Sequence, residues 1–148
     1  MFIHDNTLEL EFYFRIFLCA LLGFVIGFDR LRKAKPIGLK TYTLITVATC
    51  LVTIISIESV SVFSTKGSTM MDPMRLIAQL LPAVGFLGAG TIWFANNRVS
   101  GLTSAALVLF CTIVGIGIGS GFYSLTLFTY ILVLGFLRLG QWYEDKRD

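Results

Sequence analysis

The chain is 148 residues long, 55% hydrophobic and only 14% charged, with a mean hydropathy of +0.80 and a formal net charge of +3. An average soluble domain carries about 25% charged residues, so the surface of an ordinary water-soluble enzyme is excluded. A nucleic-acid footprint is excluded as well, because the basic residues stand beside apolar runs, where membrane orientation accounts for them.

A helix of about 20 apolar residues crosses the hydrocarbon core of a bilayer, and the chain offers five runs of roughly that length. Residues 1–11 hold Asp5, Glu9 and Glu11 but no Lys or Arg. No small-residue cleavage site follows, so the first run does not read as a secretory leader and is expected to remain. It covers about residues 12–28, with Arg15 near one end, where a long side chain snorkels to the interface. The second run covers about 41–57. The third, about 74–94, is broken by Pro82, which lacks a backbone donor, and by Gly85, Gly88 and Gly90. A broken helix survives in lipid only where other helices or water satisfy its freed backbone groups, so this run belongs at the centre of the bundle or is re-entrant. The fourth run covers about 101–119 and the fifth about 122–139, joined by little more than Ser120-Gly121 as a tight antiparallel hairpin. Cys19, Cys50 and Cys111 each fall inside a run, at no metal-ligand or redox spacing, and read as small core residues. The expected fold is an all-α integral membrane protein, a single domain over residues 1–148 with a bundle of about five transmembrane helices.

Orientation follows from the Lys/Arg asymmetry. Arg30, Arg32, Lys33, Lys35 and Lys40 follow the first run, Arg98 follows the third, and Arg138, Lys146 and Arg147 follow the fifth. Arg15, Lys66 and Arg75 are left for the other side. This places the N-terminus outside and the C-terminus in the cytoplasm, which an odd number of crossings requires.

Lipid is as apolar as leucine, so helix association depends on small residues that let backbones approach. Gly23 and Gly27 form one such pair, Gly85 and Ala89 another, and Gly115 with Gly119, interleaved with Gly117 and Gly121, a third set. Two readings fit: packing within one subunit, or the interface of a homo-oligomer.

Three polar groups need an explanation. Asp29 and Arg30 end the first run; an acid at a helix C-terminus opposes the macrodipole, so Asp29 needs a basic partner, and Arg32, Lys33 or Lys40 can serve. Asp72-Pro73 reads as a helix start, with Asp at the N-cap and Pro in the first turn. Arg75 and Gln79 share a face with Asp72 at helical spacing. Gln79 lies inside an apolar run, where polar side chains usually face the bundle interior or a wet cavity, as part of a structural network or a functional site. Last come Asn96, Asn97, Arg98, Ser100 and Thr103, where Asn96-Asn97 reads as a turn and Ser100 as the cap of the fourth helix. The single histidine, His4, lies near the terminus, and no nucleophile–base set, phosphate loop or metal cluster is present in the sequence. Neither enzyme activity nor a cofactor or bound metal is expected.

Three segments resemble the MgtC/SapB family of bacterial inner-membrane proteins. The first runs from Leu22 through Gly23 and Gly27 to Asp29-Arg30, with Ile37-Gly38-Leu39-Lys40-Thr41 after it. The second is Asp72-Pro73-Met74-Arg75-Leu76-Ile77-Ala78-Gln79, leading into Gly85-Phe86-Leu87-Gly88-Ala89-Gly90. The third is Val99-Ser100-Gly101-Leu102-Thr103-Ser104-Ala105-Ala106, followed by the ladder of Gly115, Gly117, Gly119 and Gly121. Lys40 stands where the family usually has Arg, Tyr42 where His is common, and Pro82-Ala83 where a small Ser-Gly pair is usual. Longer members add a cytoplasmic C-terminal domain of the ACT type.

The resemblance implies an inner-membrane protein tied to adaptation to low magnesium and, in pathogens, to virulence. For some members it implies inhibition of the F-type ATP synthase through contacts within the membrane. Besides a structural subunit of a larger membrane complex, two functions are expected to compete. One is regulation through helix contacts with a membrane partner, ATP synthase being the one that the resemblance suggests. The other is a small transporter or channel, for Mg2+ or another solute, built on the polar face of the third helix. The residues to follow are Asp29, Arg30, Lys40, Thr41, Asp72, Arg75, Gln79 and Thr103.

Overall fold

The computed structural model describes residues 6–32, 37–63, 72–95, 98–144 and 146. Five helices appear, in the order expected: α1 (Asn6–Arg32), α2 (Leu39–Phe63), α3 (Pro73–Ala89), α4 (Leu102–Gly119) and α5 (Tyr123–Glu144). Two short antiparallel strands, β1 (Trp93–Ala95) and β2 (Arg98–Ser100), lie between α3 and α4, pairing Trp93 with Ser100 and Ala95 with Arg98. Asn96-Asn97, expected as a turn, lies outside the described residues, as do His4, Asp5, Lys33, Lys35, Lys66 and Arg147.

Helices α1, α2, α4 and α5 are long and apolar enough to cross a membrane. At 17 residues, α3 is shorter, about 25 Å at 1.5 Å per residue. It starts where Asp72 and Pro73 set it: the Asp72 carboxylate accepts from the Met74 amide at 2.9 Å, and Pro73 occupies the first turn, where a missing N–H is harmless. The helix then passes through Pro82 without interruption, and the break falls at its end, beside Gly88 and Gly90. The five residues expected to complete the run, 90–94, turn instead into β1. Ser100 does not cap α4. It is the last residue of β2, and the N-cap is Gly101 at φ 90°, a left-handed conformation suited to glycine, with no side-chain cap. A Cβ there would run into the Thr91 carbonyl.

The core lies between α1, α2 and α4. Cys19, Cys50 and Cys111 are fully buried in it, together with Tyr42, Ile118 and Val108. Glycines set the spacing. A Cβ on Gly27 would stand 2.6 Å from the Leu39 Cα, and one on Gly23 2.8 Å from the Thr43 Cα, so the backbones of α1 and α2 touch. On α4, Gly115 faces Thr49, the Thr46 carbonyl and Cys50, and Gly119 faces Thr53 and the Cys50 carbonyl. These contacts follow the reading of packing within one subunit.

The opposing face of α2 is lined with threonine. Thr46, Thr49 and Thr53 are buried, and each hydroxyl donates to a backbone carbonyl one turn back, at 2.8–2.9 Å. A buried hydroxyl without a partner is costly; here the helix itself accepts the bond. Helix α3 lies against α2 and α4: the Ser56 hydroxyl donates to the Pro73 carbonyl at 2.6 Å, and Gly88 rests on Ala105. These two contacts are at opposite ends of α3, so it lies lengthwise along both neighbours. Helix α5 is held by Tyr130, whose hydroxyl donates to the Leu22 carbonyl at 2.7 Å, and by Thr126 set against Gly117. Its other faces expose Leu125, Phe128, Ile131 and Phe136, as expected of a surface in contact with lipid.

Candidate functional site

The helix ends divide the charges. Arg30 and Arg32 of α1, Lys40 of α2, Arg98 of β2, and Arg138 and Lys146 in and after α5 lie at one end, called here the basic end. Glu11, Arg15, Asp72 and Arg75 lie at the other.

At the basic end the candidate residues separate into buried and exposed. Arg30 is 4% exposed, buried where the last turn of α1 meets the rest of the core. Lys40, Thr41 and Thr103 are exposed. Their chain neighbours turn inward: Tyr42 is 0% exposed and Ser104 is buried. The Tyr42 hydroxyl has Ser104 and Arg30 as polar neighbours, and no hydrogen bond of ordinary geometry reaches it or Nη2 of Arg30. Asp29 is half-buried and lines a cleft of about 320 Å³ between α1 and α5, with Arg138 and Gln141 on the other wall. The guanidinium of Arg32, one of the partners expected for Asp29, lies over the Phe28 ring, 5.7 Å from its centroid.

The group on α3 is placed otherwise than expected. The buried residues of α3 are Ile77, Val84 and Gly88, spaced seven and four apart along one stripe. Asp72, Arg75 and Gln79 are all exposed, on the opposite face, with Pro82 and Phe86. Gln79 therefore faces away from the bundle rather than into its interior. Seven residues separate it from Asp72, placing it about 10 Å deeper along the helix axis. Gly85, expected to pack, meets nothing within 4 Å on this side of the molecule, and Gly90 is exposed, with only carbonyls of its own helix turn nearby.

One polar cluster went unnoticed in the sequence. Expected to snorkel alone, Arg15 donates from Nε to the Tyr123 hydroxyl at 2.9 Å and from Nη1 to the Gly119 carbonyl at 2.7 Å, and pairs through Nη2 with Glu11. The Tyr123 hydroxyl in turn donates to the Glu11 carboxylate at 3.1 Å. The signal was present in part: Glu11 and Arg15 are one helical turn apart. Their meeting with residue 123 depends on how α5 folds back at Gly121, whose φ is 84°. The cluster fastens α1 to the α4–α5 turn. Among the described residues, no group of three or more His, Cys, Asp or Glu is gathered as a metal site.

Comparison with known proteins agrees with the motifs. The model of the MgtC family matches residues 16–146. The chain is 38% identical to an uncharacterized protein of Haemophilus influenzae over 147 residues, covering 95% of this chain and 62% of that one. It is 39% identical to protein SapB of Bacillus subtilis over 130 residues, 87% of this chain and 56% of SapB. With the putative magnesium transporter YhiD of Escherichia coli K12 it shares 35% identity over 124 residues, 84% of this chain and 58% of that one. The chain thus spans about three-fifths of the length of these relatives. No solved structure matches it.

Proposed function

Since this chain belongs to the MgtC family, we propose that it is a regulatory protein of the bacterial inner membrane that acts through helix contacts with a membrane-protein partner during magnesium limitation. In this reading the basic end faces the cytoplasm, as the positive-inside rule directs, and α3 is the contact helix. The observation that carries it is the outward placement of Arg75 and Gln79 on α3. Polar side chains at membrane depth are costly when they face lipid, and an amide hydrogen-bonded across a helix pair is a recognised form of association. The interior is closed: Cys19, Thr46, Cys50, Thr53, Cys111 and Thr112 are all 0% exposed. A closed centre and a polar outer face suit a protein that works by being bound.

The test is crosslinking and co-purification of the full chain from native membranes, with ATP synthase, the partner implied by the family, as the first complex probed. Capture of the complex, weakened by Gln79→Leu and Arg75→Gln, is the expected result. Recovery of the chain alone, together with unchanged ATP synthase activity on deletion of the gene, overturns the reading.

A second reading, transport of Mg2+ or another small solute, has the name of the Escherichia coli relative in its favour, and carboxylates suit magnesium. Asp29 and Asp72 lie at opposite ends of the helices, which does not favour one shared site. A liposome flux assay decides it: Mg2+ entry that is lost in Asp72→Asn and Gln79→Ala would establish transport, and no entry with wild-type protein would remove it.

A further inference from the structure

At the basic end, the first turns of α2 and α4 converge on the last turn of α1. Tyr42 is the fourth residue of α2 and Ser104 the third of α4, and they approach each other beside Arg30. Each helix N-terminus presents unpaired N–H groups and the positive pole of a macrodipole, and that of α4 has no side-chain cap. Into this positive region the fold places a guanidinium that is 4% exposed, with Nη2 unpartnered, and a fully buried phenol, also unpartnered. A buried cation needs a counter-charge. The Tyr42 phenol beside it, with the Ser104 hydroxyl next to that phenol, brings no charge.

We propose that Arg30 and Tyr42, framed by the first turns of α2 and α4, bind a phosphate-type oxyanion at the basic end of the bundle. A guanidinium fork matches a phosphate in geometry and charge, helix N-termini bind the same group, and the phenol donates one more hydrogen bond. Arg30 lies two residues from the end of α1, at the level where a lipid headgroup meets the water phase. The anion is therefore either the phosphate of a headgroup or free phosphate. The site lies on the opposite end of α3 from Asp72 and Arg75 and does not depend on the partner reading.

The experiment uses the full chain in a maltoside detergent free of phosphate, with its thermal unfolding midpoint as the readout. One arm titrates inorganic phosphate against chloride at equal ionic strength, and the other titrates a short-chain phosphatidylglycerol. A midpoint that rises with phosphate assigns a free anion, and one that rises only with the lipid assigns a headgroup; either supports the site. The deciding variant is Tyr42→Phe, which removes one oxygen and keeps the ring. It is expected to weaken the apparent affinity about tenfold, the equivalent of one hydrogen bond. Arg30→Gln is expected to abolish the response if it folds. No response beyond that to chloride in either arm, or a response of full strength in Tyr42→Phe, overturns the proposal and leaves the two buried groups to a water molecule.

Discussion

Helices α4 and α3 both carry closely spaced glycines and both lie against α2, yet they play opposite parts. On α4, Gly115 and Gly119 are pressed against the α2 backbone, and a Cβ at either position would displace it. On α3, Gly85 faces open space and Gln79 faces outward. The polar residues divide in the same way. The threonines opposite α4 return their hydrogen bonds to their own helix, so they are buried without a partner from elsewhere. A glutamine amide, with two donors and an acceptor, is less easily satisfied by its own helix. The comparison teaches that small and polar residues in a membrane helix do not declare their role by type. Whether the helix backbone can satisfy them, and what stands opposite, decides it.

The largest expected effects break the tight side of this comparison. Gly115→Val and Gly27→Val push a side chain into backbone atoms of α2 and should destabilise the folded chain by about 3 kcal/mol or more. Gly85→Val, the matching change on α3, should stay within about 0.5 kcal/mol. Reversible unfolding in mixed micelles measures both, and equal losses at positions 115 and 85 would erase the distinction. Next comes Arg15→Ala, which leaves Tyr123 and Glu11 without their common donor and frees the Gly119 carbonyl; about 2 kcal/mol is expected in the same assay. Tyr130→Phe removes a single hydrogen bond between α5 and α1 and should cost about 0.6–1 kcal/mol. The smallest effect on stability sharpens the other side: Gln79→Leu should leave unfolding within about 0.5 kcal/mol of wild type while weakening co-purification of the partner. A large loss of stability would mean that Gln79 serves the fold itself.

Much of the fold was legible because lipid imposes a simple rule: apolar length marks a helix. Five helices in the expected order, the Asp72-Pro73 start and the buried cysteines all followed from residue type and spacing, whereas the glycine spacing marked close approach without saying which helix stands opposite. Boundaries followed less well. Apolar residues 92–94 extend the hydropathy signal of the third run, but glycines at 88 and 90 end its helix, and Trp93 and Phe94 pair as strand with Val99 and Ser100. Hydropathy does not separate an apolar strand from an apolar helix turn.

At the basic end the sequence singled out Thr41 and Thr103, which are exposed, while their chain neighbours Tyr42 and Ser104 are the ones turned inward. A one-residue error rotates a helix by about 100°, and nothing in the local pattern fixes that rotation. For α3 the spacing showed that Asp72, Arg75 and Gln79 share a face, but the direction of that face depends on which neighbours the helix meets. The Glu11–Arg15–Tyr123 cluster was only half legible: Glu11 and Arg15 are one helical turn apart, but Tyr123 lies more than a hundred residues from both.

The most direct test of the contact surface places a photo-activated crosslinking side chain at residue 79 and, separately, at Phe128, an exposed apolar position on α5, in cells held at low magnesium. Adducts at 79 with one membrane protein of a single mass larger than this chain, and lipid adducts alone at 128, are the expected result. Lipid adducts alone at both positions, or a residue 79 adduct of the mass of two copies of this chain, would contradict a partner-binding α3.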